Sequence, residues 1–74
     1  MGQELDTKGL ACPLPVLKTK RALRSVPVGE TLTVFATDPA STIDFRHFCM
    51  TSGHEMVDWS EADGVFTYVI RRTS

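Results

Sequence analysis

Twice in 74 residues a short polar side chain stands directly before a proline that opens a helix-period stretch, at Cys12-Pro13 and at Asp38-Pro39. A proline at the first helical position loses nothing, because its missing N–H would have had no partner there. It also pushes the preceding residue towards the β or polyproline dihedrals that an N-cap residue adopts. Both junctions therefore predict helix starts capped by Cys12 and Asp38. The first helix is expected from Pro13 to about Ser25, with Val16, Thr19, Leu23 and Val26 along one stripe and Lys18, Arg21 and Arg24 elsewhere on its surface. Pro27 and Gly29 end it. The second is expected to run to about Ser52, with Phe45, Phe48, Cys49 and Ser52 on its core side and Gly53 as its stop.

Strand-period segments fill the gaps. Gln3 to Thr7 suits a short strand with Leu5 inward, and Thr31 to Thr37 alternates Leu32, Val34 and Ala36 with the remaining residues. His54 to Ser60 and Val65 to Arg72 read as two strands joined by a hairpin turn at Ala62-Asp63-Gly64. The order is β-α-β-α-β-β. The simplest way to bury both helical stripes is an α/β two-layer sandwich, with two helices on one face of a four-stranded mixed sheet. Residues 1–74 are expected to form one domain, with a modest core burying about 60–65% of the unfolded surface.

A formal net charge of −1 hides an asymmetry. Residues 1–27 carry five basic and two acidic side chains, whereas residues 28–74 carry three basic and seven acidic ones. The half holding Cys12 is thus the basic half, which draws an acidic partner surface or an anionic substrate, or serves only as a solvated helix face. No aromatic side chains interleave the basic ones, so direct nucleic-acid binding is not expected. No run approaches the ~18 apolar residues of a spanning helix, and no signal-peptide pattern precedes the first strand. With two cysteines and no disulfide framework, a cytoplasmic location is expected.

Cys12 carries the strongest chemical signal. As an N-cap, its sulfur would sit near unpaired backbone donors and the positive end of the helix dipole, which favours the thiolate. Pro13 and Pro15 each remove a donor, so the Leu14 and Val16 amides are the expected support. The bland alternative is a buried structural cysteine. Position 15 is proline, so the run is not Cys-x-x-Cys and a dithiol cycle does not fit. A single nucleophilic cysteine suits a sulfur carrier, and Lys18 and Arg21, one to two turns on, are the expected docking cations. Cys49 shares a helical face with Phe45 and Phe48 and reads as a core residue. His47 and Cys49 are two positions apart on one helix and point away from each other, and no zinc-type spacing occurs, so no metal is expected. No cofactor motif is present. Ile43, His47 and Met50 form a minor stripe that reads equally as a partner surface or as the rim of a small core.

Several stretches together resemble one family. These are Leu5-Asp6, the run Gly9 to Pro15, Gly29-Glu30-Thr31-Leu32, Asp38-Pro39-Ala40-Ser41, Phe48-Cys49, Gly53-His54-Glu55, Asp63-Gly64 and Ile70-Arg71-Arg72. In this order, around a Cys-Pro-x-Pro core, they resemble the TusA/SirA-like sulfur-carrier family over more than nine-tenths of the chain. The resemblance implies a two-layer sandwich and a sulfurtransferase role. A cysteine at the place of Cys12 would take persulfide sulfur from a cysteine desulfurase or rhodanese-like donor and hand it to an acceptor protein. The relay would end in transfer-RNA 2-thiouridine or in dissimilatory sulfur metabolism. The resemblance also implies that the cysteine at the place of Cys49 is dispensable. Leu14 fills a position where some thiouridine-pathway members carry an acid, so the field at Cys12 differs from theirs. Transient docking to such partners goes with a monomer. The readings from other classes are a non-catalytic regulatory or interaction domain and a redox-sensing thiol.

Overall fold

The computed structural model describes residues 2–74. Its elements are β1 (Gln3–Thr7), α1 (Leu14–Leu23), β2 (Thr31–Ala36), α2 (Ser41–Ser52), β3 (Glu55–Ala62) and β4 (Val65–Arg71). The four strands form one sheet in the order β1-β2-β4-β3, with β1 parallel to β2 and the other two pairs antiparallel. The two-helix, four-stranded mixed architecture is the one that the alternating periods predict.

Register explains how the core closes. Leu5, Val34, Tyr68 and Trp59 lie in one row across the sheet. Because side chains alternate faces along a strand, Leu32, Val34 and Ala36 point to the same side as Tyr68 and Ile70. That side receives Leu23 and Val26 from α1 and its exit, and Phe45 and Phe48 from α2. Phe45 is fully buried and stacks on Tyr68 with ring centroids 4.5 Å apart. The Tyr68 hydroxyl shares hydrogen bonds with Ser41 Oγ at 2.7 Å and Thr42 Oγ1 at 3.1 Å, which ties the first turn of α2 to the sheet. Cys49 packs half-buried against the core, as its helical phase requires.

Both helices begin later than the proline rule predicts. In α1 the N-cap position belongs to Pro13, with Pro15 in the first turn, so Cys12 lies one residue outside the helix. The cause is a tight turn, closed by the Leu14 N–H donating to the Ala11 carbonyl at 2.9 Å, that uses residues 11–14 before helical bonding starts. In α2 the N-cap is Ala40. Asp38 instead builds a turn: its Oδ1 accepts the Ala40 N–H at 3.2 Å and its carbonyl accepts the Ser41 N–H at 3.0 Å. The ends obey expectation more closely. Gly53, with φ of 82°, closes α2 by donating its N–H to the Cys49 carbonyl, and Asp63-Gly64, both at positive φ, turns the hairpin.

α1 tightens after Leu23 into three-residue turns through Val26, leaving the Arg24 and Val26 carbonyls without a backbone partner at its exit. Arg72 fills that gap. Its Nη1 donates to the carbonyls of Leu23 (3.1 Å), Arg24 (3.2 Å) and Val26 (2.8 Å), across 46 or more residues of sequence. Its backbone bonds to Gly29 and Glu30 lock the same corner. Charge-assisted bonds to helix-end carbonyls are among the stronger ones. Arg72→Ala is expected to cost about 2 kcal/mol. Thermal unfolding followed by circular dichroism would then show a midpoint lower by about 8–16 °C.

Candidate functional site

Cys12 is exposed, just past the ends of the parallel strands β1 and β2. Two loops meet there. The Gly9 N–H donates to Thr37 Oγ1 at 2.9 Å, and the Cys12 N–H donates to Asp38 Oδ2 at 2.6 Å. The loop after β1 is therefore pinned to the loop after β2, and the Cys12 backbone is held although its side chain is open to water. The bland reading of a buried cysteine is excluded by this exposure.

The electrostatics differ from the sequence expectation. The Cys12 thiol is held above its ordinary range, first by its hydrogen bond to Asp44, then by desolvation and by the negative charges of Asp44 and Asp38. The direction is opposite to the lowering expected at a helix start. Two features account for the difference. The sulfur belongs to a residue outside the helix, and the Leu14 amide expected to support an anion is committed to the Ala11 carbonyl. Pro13 and Pro15 offer no N–H, and α1 has no acidic residue in its first turn and no side-chain cap. Of the expected supporting positions, Val16 is half-buried and packs on the core.

Sequence reasoning missed the two carboxylates. Cys12 Sγ and one oxygen each from Asp38 and Asp44 all lie within 4.8 Å of one another. Both Asp38 oxygens accept N–H groups, so its carboxylate is fixed beside the sulfur. The histidines lie elsewhere. His47 is exposed, and His54 Nδ1 accepts the Thr73 N–H at 3.1 Å beside Phe48. The Asp38-Pro39 junction did draw attention, as a cap; nothing in the sequence revealed that its acid would reach back 26 residues to Cys12.

The outer face of α1 continues from the thiol. Leu14 and Leu17, 46% and 50% exposed, lie beside Lys18, Lys20, Arg21 and Arg24 along a shallow open groove of about 430 Å³. The expected docking cations Lys18 and Arg21 therefore share a surface with apolar side chains. On α2, Ile43 and Met50 are 74% and 82% exposed, too open to be a core rim.

Comparison with known proteins agrees with this geometry. The family model described as sulfurtransferase TusA matches residues 3–72. The sulfur carrier protein TusA of Allochromatium vinosum is 42% identical over 71 residues, covering 96% of this chain and 93% of its own. That of Pseudomonas syringae pv. syringae is 44% identical over 71 residues, covering 96% and 84%. The crystal structure of a SirA-like protein from Desulfitobacterium hafniense superposes with a TM-score of 0.83 at 26% identity, covering all of both chains. With its fold, its exposed Cys12 and a match spanning nearly its whole length, the chain belongs to the sulfurtransferase TusA family.

Proposed function

We propose that the protein is a sulfur carrier that takes persulfide sulfur on Cys12 and passes it to an acceptor protein. The observation that carries this reading is an exposed, backbone-anchored thiol at the head of the basic helix of a TusA-family chain. The Cys12 sulfur attacks the outer sulfur of a donor persulfide, and a second thiol later removes it. The groove along α1 favours a donor with an acidic rim and an apolar centre, a cysteine desulfurase or a rhodanese-like protein. The downstream acceptor would serve transfer-RNA thiolation or dissimilatory sulfur metabolism. A monomer in the cytoplasm suits such transient docking, and no helix among the described residues is long and apolar enough to cross a membrane.

The test is incubation with a cysteine desulfurase and cysteine, followed by mass spectrometry. The expected result is an adduct of about 32 Da, one sulfur atom, on the fragment containing Cys12. No adduct, or an adduct on Cys49 alone, overturns the proposal. Lys18→Glu with Arg21→Glu is expected to slow loading about tenfold at low salt, and less as ionic strength rises.

A further inference from the structure

An exposed cysteine is exposed to every small electrophile in solution, and a carrier that reacts with them is lost. Among the described residues, no cation or N–H group pairs with the Asp44 carboxylate, and one of its oxygens lies within 4.8 Å of Cys12 Sγ. Asp44 lies in the first turn of α2, half-buried, and is held there by its neighbour Phe45, which is locked in the core. Asp38, from the loop after β2, is the other charge acting on the sulfur, and both its oxygens are occupied by N–H groups. From α1 the nearest charged side chain in sequence is Lys18, six positions from Cys12 along the helix.

We infer that Asp44 is a positioning residue that keeps Cys12 as a protonated, unreactive thiol until a docked partner offers its carboxylate an N–H or a cation. The inference rests on the sulfur-carrier reading and adds a control to the same thiol. Once the Asp44 charge is neutralised, uptake balances without a further reagent. The Cys12 Sγ–S bond forms as the donor S–S bond breaks, and the outer sulfur keeps its own proton. The proton from Cys12 ends on the departing donor thiolate. One S–S bond replaces another, so no net oxidation occurs.

The experiment is the pH profile of iodoacetamide alkylation, run in the Cys49→Ala background so that only Cys12 reports. In the folded protein the rate should rise through a midpoint above that of the same chain unfolded in urea. Asp44→Asn keeps the shape and removes the charge. Its midpoint should fall, and its rate at neutral pH should increase about threefold or more, as the thiolate fraction grows. Asp44→Glu should stay nearer the parent. An unchanged profile in folded Asp44→Asn overturns the inference. If that variant fails to fold, a parent midpoint at or below the urea value overturns it instead. The profile needs no sulfur donor, so its failure is distinct from a failure of sulfur loading.

Discussion

Cys12→Ser is expected to abolish sulfur loading while leaving the fold intact. Serine has nearly the shape of cysteine, and the side chain is exposed, so no packing is lost. The Asp38 anchor also survives, because it holds the backbone N–H of residue 12 and not the sulfur. What disappears is the nucleophile: a hydroxyl oxygen cannot form the S–S bond that stores the cargo. Cys49→Ala is the paired control. Its sulfur is half-buried against the core, where a partner's persulfide has less access than at the exposed Cys12. The measurement is intact-mass detection of the sulfur adduct after desulfurase treatment. Background loading in Cys12→Ser, near-parental loading in Cys49→Ala and coincident circular-dichroism spectra are expected. Persistent loading in Cys12→Ser would move the cargo to another group.

What the sequence revealed and what it concealed divide along physical lines. Periodicity is local and strong here. Of the stripe Val16, Thr19, Leu23 and Val26, the last three are buried and Val16 packs half-buried against the core, and the pair Phe45 and Phe48 is buried as its spacing requires. The turn at Asp63-Gly64 and the stop at Gly53 follow from backbone freedom at positive φ, which residue identity encodes directly. The helix starts misled because proline is compatible with a tight turn as well as with a first helical residue. The long-range hydrogen bond from the Cys12 N–H to Asp38 accompanies the turn at the first of them. The same long-range contacts reversed the electrostatics. A local argument sees a thiol at a helix start; the folded chain adds two carboxylates, one from the β2–α2 loop and one from the first turn of α2. Arg72 was legible only as part of a strand end, and its capping role depends on the C-terminus returning to α1.

Phe45→Ala is expected to have the largest effect on stability. Phe45 is fully buried, and its ring stacks on Tyr68, itself stacked beside Trp59 and Phe66. Truncating a buried phenylalanine to alanine costs about 3–5 kcal/mol through lost transfer energy and the cavity left behind. A 74-residue domain has, at typical per-residue values, about 4–11 kcal/mol in total. Urea unfolding monitored by circular dichroism should therefore show Phe45→Ala close to or below its stability threshold, while Phe45→Leu, which leaves a smaller cavity, remains cooperative. The consequence reaches the thiol. Phe45 fixes α2 on the sheet, and Asp44 immediately precedes it, so loosening this ring also frees the carboxylate that lies within 4.8 Å of Cys12 Sγ. Phe45→Leu should then raise Cys12 alkylation at neutral pH only as far as it loosens α2. A thiol that is unchanged while the helix is demonstrably mobile would separate the packing of the core from the control of the sulfur.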